Sequence, residues 1–417
     1  MTVFEQVAAF GARAKAACPA LATSSEEQRD GALAQAAALL RARVPQIIAA
    51  NELDMAAGRE KCLSAAMLDR LLLTPERIEK IATAVEEIIA LDDPLGLLLE
   101  ERTRPNGLLI QKVSVPLGVI GIIFESRPNV TVDAATLCLK AGNATLLRGG
   151  SEAIHSNLAL AAVLQDALEA AGLPRSGVEM LDFTDREAVA AMAGLDQYLS
   201  LIIPRGGHAL IRAVVENATV PVIKHDRGMT QIYVDATCDL PQTVALVHNS
   251  KVQRPGVCNA VENLFLHQDN LAALQAIGAD LQAAGVEIRG CPRTCAALAG
   301  CVPATDEDFD TEYLDLILAV KVVDSLEEAL TEIAAHSSGL TEAIYTNNAA
   351  NAERFLRAVD SACVYHNAST RFTDGGEFGL GAEIGISTDK MHARGPMGVR
   401  ELTSYKYLVR GEGQVRA

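Results

Sequence analysis

GVIGIIFES, the nine residues from Gly118 to Ser126, decides the fold. Its apolar run carries no polar alternate, so a strand here is covered on both faces. TVDAATLCLKAG (131–142) follows as a helix, then ATLLRGG (144–150) as the next strand, a long helix near 152–170, VEMLDF, a helix at 185–193, and LSLIIPRGG. Continuous apolar strands separated by helical crossovers predict a mostly parallel sheet with helices on both faces, in the manner of a dinucleotide-binding domain.

Upstream, the first hundred residues are helical in pattern. Thr74, Pro75 and Glu76 offer an N-cap with proline in the first turn, and ERIEKIATAVEEIIAL repeats apolar residues every three or four positions. The stretch 101–118 switches to short extended runs with turn signals, which predicts a hairpin. Downstream, a second α/β block starts near 223 with TQIYVD, the segment QRPGVCNA, VENLFLH, a helix at 269–284, VEIRG, LDLILAVKVV, a helix at 325–335, TEAIYTN, a helix at 349–359 and ACVYHN. The tail at 400–416 reads as a strand whose edge calls for pairing, with the 101–118 hairpin or with another subunit.

The chain has 417 residues, 49% of them hydrophobic, and a formal net charge of -17. That length exceeds what one core serves. The charge disfavours nucleic acid and anionic membrane surfaces as partners. No apolar run has the length of a transmembrane span, and MTVFEQVAAFGARAKAA does not read as a secretory signal, so a cytoplasmic protein is expected. Nine cysteines without a dense spacing predict reduced thiols. Cys291, Cys295 and Cys301 lack the paired short spacing of zinc sites, and no metal is expected there.

Cys258 raises the chemical question. An ordinary thiol is only about 3% thiolate at pH 7, so a nucleophilic cysteine needs positive potential nearby. Lys251 and Arg254 are close in sequence, and Pro255-Gly256 forms a turn that lifts the thiol out of the sheet. A buried structural cysteine remains the alternative. Attack on an activated carbonyl also needs donors for the tetrahedral oxygen. The backbone amide of Cys258 is one candidate, and Arg127 or Asn129 in ESRPNVT (125–131) another. Two glycine-rich strand ends, Arg148-Gly149-Gly150 before a Ser151 N-cap and Arg205-Gly206-Gly207 before another helix, suit a cofactor phosphate, although either also suits a plain βα turn.

Seven segments in this order, ESRPNVT, LKAGNATLLRGGSEA, LIIPRGG, QRPGVCNA, HNASTRF, GLGAEIGIST and HARGPMG, resemble the glutamate-5-semialdehyde dehydrogenases, also called gamma-glutamyl phosphate reductases, a branch of the aldehyde dehydrogenase superfamily. The resemblance implies an α/β, aldehyde dehydrogenase-like fold: two Rossmann-like domains and a small oligomerisation hairpin. It implies a cofactor-binding domain over 1–100 and 119–222 with a return segment near 380–399, a catalytic domain over 223–379, and oligomerisation strands at 101–118 and 400–417. The implied activity is NADPH-dependent reduction of L-glutamyl 5-phosphate to L-glutamate 5-semialdehyde through a cysteine thioester, in proline biosynthesis. NAD(P)-dependent oxidation of an aldehyde to a free acid, and a noncatalytic family member, are the alternatives.

By the same resemblance Cys258 is the nucleophile. Asn129 or Arg127 stabilises the oxyanion. Arg148, Gly149, Gly150, Arg205, Gly206, Gly207 and Glu312 hold NADPH or NADP+, with Glu312 on the nicotinamide ribose. Lys251, Arg254, Arg371 and Arg394 are candidates for a basic cleft, His225 and His392 for proton donors, and Asn367, Ser369 and Thr370 for orienting the substrate. Homo-oligomerisation and association with glutamate 5-kinase are also implied. VIKHDRG (222–228) replaces the segment carrying the general-base glutamate of hydrolytic relatives, which favours phosphate chemistry over acid formation. Thr230 and Gln231 stand where family members commonly have Cys-His.

Overall fold

The computed structural model describes residues 1–224 and 227–416, which leaves His225 outside the described residues. The chain divides into two compact units. Unit 1 comprises Met1–Lys224, Gly379–Gly385 and Met397–Ala417; unit 2 comprises His225–Phe378 and Ile386–Pro396. The returning segment expected near 380–399 is therefore divided, its middle grouping with unit 2.

Unit 1 opens with five helices, Val3–Thr23, Glu26–Ala42, Val44–Glu60, Ala65–Leu71 and Pro75–Ile89. The fifth begins where its sequence says: the Thr74 side chain accepts from the Arg77 N–H, Pro75 occupies the first turn, and Ile78, Ile81, Ala82, Val85 and Ile88 are buried. Strands β1 (Leu98–Thr103) and β2 (Leu109–Pro116) form the expected hairpin. The terminal strand Thr403–Arg410 pairs antiparallel with β2, from Thr403 opposite Pro116 to Arg410 opposite Leu109.

The stretch quoted at the outset forms β3 (Val119–Phe124), buried at every residue. It lies between β4 (Ala144–Arg148) and β6 (Leu201–Arg205), with β5 (Val178–Met180) beyond β4, all parallel. Val119, Ile120, Ile122 and Ile123 are wholly buried. Each such side chain is worth roughly 1.5–3 kcal/mol of transfer free energy. Helices Asn129–Lys140, Ile154–Ala170 and Glu187–Ala193 make the crossovers. Ser151 does not cap the second of these as expected: a single 3-10 turn, Ser151–Ala153, precedes the helix, and no side chain caps either.

Unit 2 holds a seven-stranded sheet, entirely parallel: β7 (Thr230–Val234), β8 (Val261–His267), β9 (Glu287–Gly290), β10 (Val302–Pro303), β11 (Ile317–Val323), β12 (Thr341–Tyr345) and β13 (Cys363–His366), in the spatial order β10-β9-β11-β8-β7-β12-β13. Helices 271–283, 326–336 and 349–358 fall within a few residues of expectation. Two crossover helices were not foreseen, the short Pro292–Ala297 between β9 and β10 and the longer Leu240–Val252, although Asp239 caps the latter through the Gln242 N–H and Pro241 sits in its first turn. Among the described residues no helix is long and apolar enough to cross a membrane.

Candidate active site

The sheet order of unit 2 explains why distant residues meet. β11, β8 and β7 are adjacent, and the loops entering them carry Glu312, Cys258 and Gly228 respectively. All three thus gather at the amino edge of one sheet. The ordinary location for a ligand in an open α/β sheet is the opposite, carboxyl edge.

Cys258 sits half-buried in the turn after Pro255-Gly256, between helix Leu240–Val252 and β8. Two contacts fix its backbone. Thr230 Oγ1 donates to the Cys258 carbonyl at 2.8 Å. Gly228 packs so tightly against Cys258 that a β-carbon there would lie 2.5 Å from its Cα and Cβ. Glu312, half-buried, has its carboxyl pushed up by burial, while the nearby Gly228 N–H pulls it the other way. Thr230 and Gln231, the departure from the family pattern, are both wholly buried. Gln231 Nε2 donates to the Ile333 carbonyl at 3.1 Å. The substituted pair therefore supports the cysteine loop and the helix behind it rather than leaving a gap.

Among the candidate cations, Arg371 is electrostatically coupled to Cys258, with Arg254 as its neighbour. Burial lowers the Arg371 pKa most, Arg254 lowers it further, and Asp374 and Cys258 oppose them. Arg371 Nε donates to Gln253 Oε1 at 2.7 Å, tying it to the cysteine loop. Arg254 is exposed.

Lys251 is a correction to the sequence reading. It is wholly buried, and Nζ donates to Glu262 Oε2 at 2.8 Å, so its charge is spent on a buried carboxylate and is not offered to a substrate. Burial pushes the Glu262 carboxyl up to about 7 against the pull of Lys251. Arg394 is likewise committed, to Asp360 through Nη1 at 2.8 Å and to the Asp360 carbonyl through Nη2 at 2.7 Å. His392 is exposed, at a positive φ of 50°.

The HNAST segment is divided in role. Thr370 Oγ1 donates to the Asn259 carbonyl at 2.8 Å, and Ser369 Oγ donates to Asn249 Oδ1 at 2.6 Å; both residues are buried, under the cysteine loop and its helix. Asn367 stands apart, accepting from the Thr346 N–H at 3.0 Å and donating to the Thr346 carbonyl at 2.9 Å. Asn259, next to the cysteine, donates to the Thr373 carbonyl at 2.7 Å, and its Oδ1 is buried without a partner.

In unit 1 the turn after β3 carries the other candidates. Asn129 opens its helix and donates through Nδ2 to Asp133 Oδ2 at 2.8 Å; burial pushes the Asp133 carboxyl up to about 6. One N–H of that amide is thus engaged and the other is available. Arg127 is exposed. Arg148 is 8% exposed; among the described residues its guanidinium makes a long 3.4 Å contact to the Thr184 carbonyl, and its Nε is buried without a partner. Such an orphaned guanidinium donor fits the hydroxyl or phosphate acceptors of a dinucleotide.

Neither glycine-rich turn presents the open helix end that the sequence predicted. Glu125 Oε2 already accepts from the Gly207 N–H at 2.9 Å, at the start of helix His208–Asn217. Glu152 Oε1 accepts from the Ser126 N–H at 2.7 Å and crowds Gly150, where a β-carbon would lie 2.2 Å from it. Gly149 is as close to Asn157, 2.1 Å from Nδ2 by the same measure. Arg205 donates to the Ile384 carbonyl of the returning segment. Among the described residues, no group of three or more His, Cys, Asp and Glu side chains is placed to hold a metal, and the nine cysteines form no disulfide.

The aldehyde dehydrogenase family model matches residues 4–284 and 301–406. The gamma-glutamyl phosphate reductase of Heliobacterium modesticaldum is 52% identical over 417 residues, covering all of both chains. That of Moorella thermoacetica is 53% identical over 417 residues, with the same coverage. The crystal structure of the Thermotoga maritima gamma-glutamyl phosphate reductase superposes with a TM-score of 0.97 at 46% identity, over 99% of this chain and 100% of that one.

Proposed function

Because the chain belongs to the aldehyde dehydrogenase family and, within it, to the gamma-glutamyl phosphate reductases, we propose that Cys258 is the nucleophile of its reaction. That reaction is the NADPH-dependent reduction of L-glutamyl 5-phosphate to L-glutamate 5-semialdehyde and phosphate, through a thioester. The observation that carries the assignment of Cys258 is a half-buried thiol electrostatically coupled to Arg371, on a loop whose backbone Thr230 and Gly228 hold in place.

The Cys258 thiolate attacks the 5-acyl carbon, the new C–S bond forms, and the C–O bond to phosphate breaks with its electron pair leaving on phosphate. Arg371 and Arg254 favour the thiolate and balance the charge of the phosphate before it departs. NADPH, when bound, supplies the hydride that reduces the acyl carbon. The Cys258 backbone N–H is the cysteine loop's donor for the tetrahedral oxygen; in the turn after β3, Asn129, whose amide Asp133 orients, and exposed Arg127 are the candidate donors. Collapse of that state breaks the C–S bond, releases the aldehyde and returns the thiolate.

For the cofactor, Arg148 with its orphaned Nε is assigned to the ribose or its phosphate, beside Gly149 and Gly150, and Glu312 to the nicotinamide ribose. Arg205, Gly206 and Gly207 frame the second turn, where a phosphate would have to displace Glu125. For the substrate, Arg254 and Arg371 are the direct contacts. Ser369 and Thr370 act from beneath by holding the loop, and Asn367 by fixing the backbone at Thr346.

Exposed Leu98, Leu99, Tyr405, Tyr407 and Val409 on the three-stranded sheet support a homo-oligomer joined there. Reduced thiols and an acidic surface fit a cytoplasmic protein, and an acyl phosphate substrate fits supply by an associated glutamate 5-kinase.

The test is phosphate-dependent reduction of NADP+ with glutamate semialdehyde. Cys258→Ala is expected to abolish turnover and leave NADP+ binding intact. Undiminished turnover in that variant, or turnover independent of phosphate, removes the proposal.

A further inference from the structure

The loop that carries Cys258 is closed at its base by a buried ion pair. Lys251 lies in the last turn of helix Leu240–Val252, and Glu262 is the second residue of β8. Both are wholly buried and their side chains meet at 2.8 Å, so the loop between them, with Cys258 in it, is gathered between two fixed points. The second carboxylate oxygen is also used: Glu262 Oε1 accepts from the Leu314 N–H at 3.1 Å.

Leu314 has a φ of 54°, a left-handed conformation that a leucine adopts only under restraint. Its carbonyl faces the same loop, 3.7 Å from where a β-carbon on Gly256 would stand. Two residues earlier in the chain is Glu312, whose carboxylate is favoured by the nearby Gly228 N–H, and Gly228 in turn abuts Cys258. One buried carboxylate therefore touches the loop from three sides: from its helix through Lys251, from its strand directly, and from the neighbouring turn through Leu314.

We propose that Glu262, held by Lys251, is a positioning residue for the nucleophile: it fixes the turn at Leu314 and the base of the cysteine loop, and thereby the place of the Cys258 sulfur. The proposal rests on the reading of Cys258 as the nucleophile. A buried ion pair is weak support for stability in itself, since apolar residues of similar volume often replace such pairs without loss. That separates positioning from plain folding.

The double variant K251M/E262M removes both charges and the acceptor for Leu314; K251M/E262Q removes both charges and keeps an amide oxygen in that place. Three quantities are compared with the parent: kcat and KM in NADP+ reduction, the second-order rate of Cys258 alkylation by iodoacetamide without cofactor, and Tm. For K251M/E262M the expectation is a fall in kcat of about 100-fold, the scale of a misplacement near 1 Å, with a changed alkylation rate and a Tm close to the parent's. K251M/E262Q is expected to recover at least a tenfold part of that loss.

Parent-like kcat and alkylation in K251M/E262M overturn the proposal, as does an equal loss in both double variants that tracks Tm. Should K251M/E262M fail to fold, Lys251→Met alone releases the clasp while the Glu262 carboxyl, already raised by burial, takes up a proton in place. An alkylation rate unchanged in that variant also overturns the proposal. The Cys258→Ala protein separates the two readings: if it turns over, the nucleophile assignment fails, and if it is inactive while both double variants match the parent, only the positioning role fails.

Discussion

Gly228→Ala should disable the enzyme without unfolding it. A β-carbon added at Gly228 would lie 2.5 Å from Cys258 Cα, 2.5 Å from its Cβ and 2.6 Å from its carbonyl oxygen. Carbon atoms rest comfortably at about 3.5–4.0 Å, so the two segments must part by roughly 1 Å. The obstacle is mostly backbone, which cannot swing aside as the end of a side chain can. Thr230 resists the shift as well, because its hydroxyl holds the Cys258 carbonyl at 2.8 Å. A displacement of that size at a reacting atom costs on the order of 100-fold in rate, or about 2.7 kcal/mol of barrier. Overpacking costs stability too, typically about 1–3 kcal/mol. The assay is steady-state NADP+ reduction with glutamate semialdehyde and phosphate, beside Cys258 alkylation and thermal unfolding of the same preparation. The expected result is a kcat near 1% of the parent's with a Tm lower by only a few degrees. A variant with parent kcat and parent alkylation rate would refute the argument that Gly228 sets the position of the thiol.

Thr230→Val keeps the shape and removes the donor to the Cys258 carbonyl; a loss of about 1–3 kcal/mol in stability or barrier is expected, with Thr230→Ser restoring most of it, as read from kcat and urea unfolding. Glu342, wholly buried within β12, has an Oε2 without a partner, and burial pushes its carboxyl up to about 7 from 4.5. The folded state therefore binds this proton more tightly than the unfolded state does. Its contribution is present below pH 4.5 and is lost as pH rises through about 7. Glu342→Gln should flatten that decline and gain about 3 kcal/mol above neutrality. Chemical denaturation across pH 5 to 8 checks it, and parallel stability curves for the two proteins would contradict it.

Much of the architecture is legible because local rules and tertiary demands agree. The run at 118–126 can only be a strand buried on both sides, and the cap and proline at Thr74-Pro75 start a helix whose apolar face finds the partner it needs. The helix Leu240–Val252 lacks a clear apolar stripe, since the residues it buries are Thr243, Val247, Ser250 and Lys251, although Asp239 and Pro241 mark its start by the same rule that locates the helix at Pro75. Ser151 misled for the opposite reason. A serine before an acidic residue satisfies the capping pattern, but Gly149 and Gly150 bring the chain so close to Asn157 and Glu152 that a tight 3-10 turn precedes the helix.

The site is less legible, because its members are joined by sheet order and not by spacing. Nothing in the sequence says that β11 inserts beside β8, yet that insertion is what brings Glu312 to the edge where Gly228 and Cys258 stand. Charge reasoning fails at Lys251 for a related cause. Sequence proximity to Cys258 suggested an open cation, while the partner that neutralises it, Glu262, is fixed by the strand on the far side of the loop. An enzyme with a net charge of -17 must still meet a phosphorylated substrate. With Lys251 held in a buried clasp, Arg371 is the cation electrostatically coupled to Cys258, with Arg254 beside it, and a guanidinium pairs with phosphate oxygens in a way an ammonium does not. The lysine's place follows from side-chain chemistry: a compact ammonium is matched by one buried carboxylate, whereas a planar guanidinium presents five donors that a single carboxylate does not satisfy.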